Sequence, residues 1–338
     1  MPQRRDAVTI ADVARSVGVA TSTVSRALNQ PGRISDELRD RIVAAATALG
    51  YHPNPQARSL TSGRTQSVAL LVPDITNPFF FGLIRGAQAQ ARARGHRHVL
   101  VDTEESAEVE ALTLAELPSS VDGIVLAAAR LTDAELTAAA GRVPLVLVNR
   151  EVPGLRSVVM DTAAGVLQAL DHLVSLGHRS VAYLAGPATS WSGRKRWRAL
   201  QRAARRLNVD CVRVGPFPPT MAAGAAAADA AVHHRVTGCL FFNDLLAIGA
   251  LRRFAERGIR VPDDLSVVGC DDIFGADFCR PPLTTVTTPV EQTGRVAVDM
   301  LLSTPVAGAP VRPGQTLPTH LTIRASTGPV PTRRAGGS

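Results

Sequence analysis

The sequence lacks the features of a membrane or exported protein. No apolar run approaches the roughly twenty residues that a membrane-spanning helix requires. The first residues, Met1 to Asp6, include two arginines, but no apolar segment follows them as it would in a signal peptide. We therefore expect a cytoplasmic protein without a membrane partner.

Metal, disulfide and enzyme signatures are missing as well. The four cysteines form no CxxC pair and the eight histidines are scattered, so the spacing predicts free thiols rather than a zinc site or disulfides. The Walker motif, the G-x-S-x-G motif and the H-E-x-x-H motif are absent. The sequence thus predicts no catalytic residue, no cofactor and no metal, and the protein is not expected to be an enzyme.

Acidic residues are fewer than basic residues. With 29 acidic and 37 basic side chains, the net charge is +8 and the isoelectric point is near 10.4. About half of the excess lies in residues 1 to 65, which hold nine arginines and five acidic residues. This balance favours a polyanionic partner, although charge alone identifies no function.

What the sequence does contain is a helical pattern between Val8 and Leu60. Apolar residues recur at the i, i+3, i+4, i+7 spacing of a short amphipathic helix, at Ile10, Val13, Ala14 and Val17. Thr9 precedes this helix and Asp12 follows three residues later, the arrangement of a capping box. Gly18 is expected to end the helix before a second one begins.

The second predicted helix has two different faces. If Val24, Ala27 and Leu28 face inward, the outward face is short, polar and carries one arginine; it consists of Thr21, Ser22, Ser25 and Arg26. A helix, a tight turn with a glycine and a second helix form a helix-turn-helix, and such a face suits the DNA major groove. The alternative is an ordinary three-helix bundle whose polar face is only solvated.

Two further helices are predicted in this region. Ser35 is placed as the N-cap of a helix whose apolar stripe completes a small core, at Leu38, Ile42, Ala45, Ala46 and Leu49. Asn54 and Pro55 are placed to cap and start a last helix of about six to eight residues, which is too short to be stable alone.

Together these motifs resemble the DNA-binding headpiece of the lactose-repressor (LacI) family. The matching segments are 10–14, 18–19, 23–29, 50–51, 53–54 and 57–60. The resemblance implies that DNA is contacted by Thr9, Thr21, Ser22, Thr23, Ser25, Arg26, Asn29, Tyr51, Asn54, Ala57, Arg58 and Leu60. It also implies that residues 53 to 61 are disordered without DNA and helical on it, with Leu60 as a wedge in the minor groove. Ala20 stands where the family usually has Ser, so Thr21 is expected to cap the second helix instead.

From Ser67 onward, strand-like and helix-like segments alternate. Continuous apolar runs predict strands buried on both faces at 67–72, 99–101, 123–126, 145–148, 180–184, 239–242 and 265–268. Helical patterns lie between them, for instance at 79–94, 164–176, 195–207 and 245–257. Buried strands joined by helices form parallel, doubly wound sheets. The predicted fold class is α/β, with an all-α helix-turn-helix headpiece before two similar lobes.

This second part also resembles the LacI family, whose core is similar to periplasmic sugar-binding proteins. The motifs are at 74–80, 121–123, 176–178, 185–187, 243–244, 266–269 and 282–285. The resemblance implies a headpiece at 1–52, a hinge helix and linker at 53–63, and a two-lobed effector-binding and dimerisation core at 64–328. Lobe 1 would hold about 64–159 and 290–318, lobe 2 about 160–289 and 319–328, and a disordered tail 329–338.

Polar residues near the predicted strand ends indicate a ligand cleft. Asn149, Arg196, Asn243 and Asp271 lie where open sheets bind ligands, and they offer the donors and acceptors that a polyol needs. The family's effector contacts match these residues and also Phe80, Phe217 and Thr288. Other interpretations stay open: an Asp271–Arg196 ion pair, a helix cap at Asn243, and a core position for Phe80.

Three departures limit how far an effector can be named. Cys270 replaces a usual aromatic residue, Ala199 a common Gly, and Asn149 a frequent Asp. The basic run 194–198 would suit a phosphorylated or acidic sugar, with a solvated helix face as the alternative.

The resemblance as a whole implies a sequence-specific transcriptional regulator. It would act as a homodimer on a near-palindromic double-stranded operator and repress carbohydrate-utilisation genes. A small sugar or sugar phosphate would release it from DNA. The competing hypothesis is a cytoplasmic sugar-binding protein or sugar-acting enzyme that does not bind DNA.

Overall fold

The computed structural model describes residues 8–29, 32–51, 65–303 and 314–331. The chain divides into two compact units, residues 1–65 and 66–338. Each unit is described by itself below. No helix of the described residues combines the length and the apolar character needed to cross a membrane.

The first unit contains three short helices around one small core. They are α1 (Ile10–Val17), α2 (Thr21–Asn29) and α3 (Asp36–Ala48). Val13, Val24 and Ile42, one from each helix, are fully buried against one another. The amphipathic spacing therefore places its apolar residues where the sequence predicts.

The ends of these helices are held by local bonds. The Asp12 carboxylate accepts the backbone N–H of Thr9 at 3.0 Å and its hydroxyl at 2.7 Å, which fixes the start of α1. Gly18 ends α1 in the left-handed conformation, with φ 75°. Ser35 occupies the N-cap of α3 as predicted, although its side chain makes no cap bond. Thr21 is the first residue of α2 itself, so it does not replace Ala20 as the residue before the helix, and the Ala20 carbonyl accepts the N–H groups of Thr23 and Val24.

The second unit contains two six-stranded sheets. The first has the order β11-β5-β4-β3-β1-β2 and is parallel throughout. Its strands are β1 (Ser67–Val72), β2 (Arg97–Asp102), β3 (Gly123–Ala127), β4 (Leu145–Val148), β5 (Arg156–Met160) and β11 (Gly314–Leu317). The helices in this part of the chain are α4 (Phe79–Ala93), α5 (Ala107–Glu116) and α6 (Asp133–Ala140), with a 3₁₀ turn at Leu117–Ser119.

The second sheet has the order β12-β10-β9-β8-β6-β7, and only its β10–β12 pairing is antiparallel. Its strands are β6 (Ser180–Leu184), β7 (Asp210–Val214), β8 (Gly238–Phe241), β9 (Ser266–Asp271), β10 (Thr284–Thr287) and β12 (His320–Thr322). The helices here are α7 (Thr162–Ser175), α8 (Trp191–Leu207), α9 (Gly224–His233) and α10 (Asp244–Glu256). The predicted two-sheet α/β fold is therefore confirmed.

One strand prediction is wrong about burial. The run at 99–101 lies in β2, but Val99 and Leu100 are 37% and 40% exposed. β2 is the edge of the first sheet, so it has a neighbouring strand on one side only. An apolar run alone does not distinguish an edge strand from a central one.

The last helix, α11 (Val290–Leu302), returns to the first sheet and packs tightly against α4. A Cβ at Gly86 would lie 2.0 Å from the carbonyl oxygen of Glu291, and one at Gly294 would lie 2.3 Å from that of Leu83. Only glycine permits these two helix backbones to approach so closely.

Candidate nucleic-acid interface and ligand cleft

The outer face of α2 is the candidate nucleic-acid interface. Thr21, Ser22 and Arg26 are exposed, while Val24 and Ala27 on the opposite side are buried. Among the described residues, the Arg26 guanidinium has no carboxylate within 4 Å. The face therefore presents hydroxyl groups and one guanidinium group that no carboxylate of the described residues pairs with.

The other predicted headpiece residues have more varied surroundings. Thr23 and Ser25 are half-buried on α2, Asn29 is its last residue, and the Thr9 side chain is bonded to Asp12. Tyr51 packs against the headpiece core, and its N–H donates to the carbonyl of Ala46 at 2.8 Å. The predictions for Asn54, Ala57, Arg58 and Leu60 lie outside the described residues.

Asn149 stands at the carboxyl end of β4. It has a left-handed backbone with φ 57°, and its side-chain oxygen accepts the N–H of Met160 at 3.1 Å. Its carbonyl accepts the hydroxyl of Ser192, on α8, at 3.3 Å. Asn149 therefore joins a strand end of the first sheet to a helix of the second sheet.

Arg196 is the most buried cation of α8, only 4% exposed. Its Nη1 donates to the Phe242 carbonyl at 2.6 Å, and its guanidinium lies 4.5 Å from the centre of the Phe242 ring. Its Nε and the hydroxyl of the buried Tyr183 have no hydrogen-bond partner among the described residues. Such buried donors are costly to leave unbonded, so they mark this place as able to bind a polar group.

Asn243 serves as a helix cap, one of the two interpretations left open. Its side-chain oxygen accepts the N–H of Leu246 at 3.0 Å, and its amide nitrogen donates to the carbonyl of Pro219 at 2.9 Å. One N–H and one lone pair remain for a ligand. The cap role and a ligand contact are therefore compatible.

Two aromatic candidates belong to the packed interior to different degrees. Phe80 is only 5% exposed and meets Phe79 edge to face, with ring centres 5.0 Å apart. Phe217 is half-buried against the second sheet's core. Most of the Phe80 side chain is therefore packed in the core, as the core interpretation expects.

Asp271, at the end of β9, has an unusual backbone and an unusual carboxyl group. Its φ is 132° and that of Asp272 is 59°, so the turn is strained. Burial raises the pKa of Asp271 well above its ordinary value, and the nearby Asp244 carboxylate raises this pKa further. The Thr288 hydroxyl donates to the Asp271 carbonyl at 3.4 Å. Among the described residues, Asp271 and Arg196 form no ion pair within 4 Å.

Asp244 holds this turn from behind. Its buried carboxylate accepts the Thr285 hydroxyl at 2.6 Å and the N–H of Ile273 at 2.9 Å. A Cβ at Gly269 would lie 2.1 Å from one of its oxygens, so the glycine makes room for the carboxylate. Burial raises the pKa of Asp244 to about 6.

Sequence reasoning missed three residues of the cleft region: Ser192, Phe242 and Asp244. Phe242 and Asp244 are the sequence neighbours of the predicted Asn243, and this adjacency could have identified them as cleft residues. Ser192 carries no sequence signal, because its bond to Asn149 exists only once the two sheets are placed together.

The basic run of α8 does not converge on the cleft. Arg194 donates to the carbonyls of Ala188 and Thr189. Lys195 lies over the Trp191 ring at 4.7 Å and 3.6 Å from the Glu151 carboxylate. Within this run the structure buries Arg196 alone.

Comparison with known proteins identifies the family. The model for bacterial regulatory proteins of the lacI family matches residues 9–54, and the model for periplasmic binding protein-like domains matches residues 170–327. The regulator DegA of Bacillus subtilis is 31% identical over 334 residues, covering 96% of this chain and 99% of DegA. The chain belongs to the LacI family. Another member, the Escherichia coli repressor CytR, is 32% identical over 339 residues, covering 97% of this chain and 99% of CytR.

Solved structures of LacI-family proteins agree with this assignment. The lac repressor dimer bound to operator and the anti-inducer ONPF superposes with a TM-score of 0.86 at 28% identity, covering 96% of this chain and all of that chain. The regulator CelR in complex with cellobiose superposes with a TM-score of 0.69 at 29% identity, covering 94% and 99%. As a LacI-family member, the chain is a DNA-binding transcriptional regulator and not an enzyme.

Proposed function

We propose that this LacI-family protein is a repressor of carbohydrate-utilisation genes that binds a near-palindromic operator. The observation that carries the proposal is the outer face of α2, where Thr21, Ser22 and Arg26 are exposed opposite a buried apolar face. Hydroxyl and guanidinium groups are suited to base edges in the major groove. The remaining predicted headpiece contacts would position the protein on the DNA backbone and at the minor groove.

An operator selected from random duplexes tests this proposal. Arg26→Ala should weaken binding to the selected sequence by about 1–3 kcal/mol and relax preference at one base pair of each half-site. Arg41→Ala, which removes an exposed arginine of α3, is the matched control and should change affinity less. Equal protection of operator and unrelated DNA by the wild-type protein would instead favour a sugar-binding protein without DNA binding.

The proposal includes the division of the chain implied by the sequence. The headpiece is residues 1–52, the hinge and linker are 53–63, and the lobes are about 64–159 with 290–318 and 160–289 with 319–328. A protein of this kind acts on chromosomal DNA, so we place it in the cytoplasm. Proteolysis that cleaved first inside either lobe, rather than near residues 53–63, would argue against these limits.

Homodimer formation is proposed from exposed apolar surface. Phe274 and Phe278 are 79% and 62% exposed, and their rings meet edge to face at 5.1 Å. Val99 and Leu100 are exposed on the edge strand β2 of the other lobe. Large exposed apolar side chains at such places mark interaction surfaces. We expect a second copy of the chain to cover them.

Sedimentation tests the dimer. Phe274→Ser with Phe278→Ser should shift the protein toward monomer, because two large apolar side chains are removed from the surface. Met221→Ser removes another exposed apolar side chain and serves as control. A wild-type protein that is monomeric at micromolar concentration would refute the dimer.

The effector is proposed to be a small sugar or sugar phosphate bound between the lobes. Asn149, Arg196, Asn243 and Asp271 supply polar groups near strand ends, and the predicted contacts are completed by Phe80, Phe217 and Thr288. The unbonded Nε of Arg196 supports a polar ligand here. Since the ligand would prefer one lobe arrangement, it would change DNA affinity, typically 5- to 150-fold, and DNA would change ligand affinity by the same factor.

Thermal-shift screening of monosaccharides, cellobiose and hexose phosphates tests the effector. A compound that raises the melting temperature should lower operator affinity. It should lose its effect in Asp271→Ala, while unliganded operator binding stays near that of wild type. If the compound bound that variant as tightly as wild type, the assigned site would be wrong.

A further inference from the structure

The outward face of α8 carries four arginines that the proposed function does not use. Arg198, Arg202, Arg205 and Arg206 are all exposed, within nine residues of helix. At a rise of about 1.5 Å per residue they extend over roughly 12 Å along the helix axis. We call these four residues the arginine stripe.

The stripe has no anionic partner among the described residues. In the part of the chain that the structure describes, none of its guanidinium groups lies within 4 Å of a carboxylate, and none donates a hydrogen bond. The arginines at the end of α10 differ: Arg253 and Arg257, which follows the helix, both bond to Asp229, and Arg252 pairs with Glu256. The fold therefore compensates arginines on one surface helix and leaves like charges adjacent on another.

The surroundings of the stripe on α8 and β7 add one further exposed arginine, one exposed aspartate and none of the large exposed apolar side chains found elsewhere in the described residues. The remaining exposed residue between its members is Gln201. Arg213 is exposed on the edge strand β7, which packs against α8. Asp210, the first residue of that strand, is an exposed acidic residue. Protein interfaces are centred on aromatic or apolar side chains, which this surface does not offer.

We propose that the arginine stripe binds the phosphate backbone of duplex nucleic acid without reading its sequence. Guanidinium groups suit phosphate because their planar array of donors can bind two oxygens at once. Binding of this type gains its free energy from counterion release and is strongly salt-dependent. It supplies a second DNA contact on the core, separate from the α2 face.

The salt dependence of binding tests the stripe in the full-length protein. The probe is a 30-base-pair duplex of random sequence, and its affinity is measured across a range of sodium chloride concentrations. The test variant changes Arg198, Arg202, Arg205 and Arg206 to Gln. The matched control changes four exposed arginines that lie apart from one another, Arg92, Arg142, Arg235 and Arg280, to Gln.

The stripe variant should reduce the slope of log affinity against log salt by about 3 to 4, since each of the four lost phosphate contacts removes about 0.9. Its affinity near 100 mM salt should fall at least about tenfold. The control should change the slope by less than about 1, and hydrogen exchange in residues 194–207 should slow with duplex only in wild type and control.

Three results would overturn the proposal: equal slope changes in both variants, an unchanged slope in the stripe variant, or unchanged hydrogen exchange in α8. Stripe-dependent self-association without DNA would also overturn it, in favour of an interface between copies. Operator preference is measured separately with Arg26→Ala, so failure of the stripe and failure of the proposed function can be distinguished.

Discussion

The α2 face and the cleft are built in opposite ways. On α2, Ser22 and Arg26 are exposed, and no ion pair restrains the arginine among the described residues. In the cleft, Arg196 and Asn243 are buried, and each is bonded to a backbone group of its own lobe. The cleft side chains thus contribute to the fold as well as to any ligand site, whereas Ser22 and Arg26 are exposed where a partner can contact them.

This contrast separates two kinds of substitution. Changes in the cleft should lower the free energy of unfolding, because they remove internal bonds from buried places. Changes on the α2 face should affect binding with little change in stability. Four experiments test the contrast, from the largest expected effect to the smallest.

Arg196→Ala should destabilise the protein by about 3 kcal/mol, since it removes a charged hydrogen bond and a ring contact from a buried site. Urea unfolding measures the effect. Arg198→Ala on the exposed face of the same helix is the control, with an expected change within about 0.5 kcal/mol. Similar losses in both variants would show that burial of Arg196 is not what matters.

Asp244 should make stability depend on pH. Its raised pKa of about 6 means that the stability it contributes is present below about pH 4 and is lost as pH rises through 6. Relative to an ordinary aspartate pKa of 3.8, this rise in pKa corresponds to about 3 kcal/mol of folding stability. Asp244→Asn should remove this dependence, because an amide does not ionise. The Thr285 hydroxyl, which donates to the carboxylate in the wild type, can rotate to accept a hydrogen bond from the new amide.

Asp229→Asn is the control for that experiment. Hydrogen bonds from Arg253 and Arg257 lower the pKa of Asp229, so its contribution is present above about pH 4 and is lost in acid. The difference in unfolding free energy between wild type and variant should change with pH in opposite directions for the two residues. If the difference in unfolding free energy changed in the same direction for both residues, the raised pKa of Asp244 would be contradicted.

Asn243→Ala should cost about 1 kcal/mol of stability, the usual value of an N-cap. Asn243→Ser keeps a cap oxygen without placing a charge against the Pro219 carbonyl, and it should recover part of the loss, which thermal unfolding can measure. If alanine and serine were equally destabilising, the bond to the Leu246 N–H would not be the cause.

Ser22→Ala should leave the free energy of unfolding within about 0.5 kcal/mol of wild type. Affinity for the selected operator should nevertheless fall measurably, because an exposed hydroxyl of the proposed interface is lost. Thr47→Ala, on the exposed side of α3, should leave both quantities near wild type. A large loss of stability in Ser22→Ala would break the contrast between the two sites.

The spacing of apolar residues predicts those features that depend on a single helix or strand. Ile10 and Val13 recur at helical spacing on α1, and Val24 and Ala27 do so on α2, so their positions in the headpiece follow from sequence. Continuous apolar runs similarly predict the central strands, such as Ser67–Val72, which is buried along its whole length. These features are local or nearly so.

Features created by tertiary contact escape such reasoning. The polar strand Gly314–Leu317 pairs with β5 only because an open sheet edge is available to it. Asp244 is buried and accepts two hydrogen bonds only when β9 and β10 place Ile273 and Thr285 beside it. The candidate cleft residues are predictable from strand ends, but their internal bonds are not.

The positions of β11 and β12 have a consequence for biosynthesis. Gly314–Leu317 completes the first sheet and His320–Thr322 completes the second. Neither sheet can therefore be finished before residues 314–322 have been made. During translation the edge at β5 stays open from Met160 until Gly314 is made, and the edge at β10 stays open from Thr287 until His320 is made. Ribosome-bound chains that end before Gly314 should be the species most prone to aggregate, because unpaired edges recruit other strands.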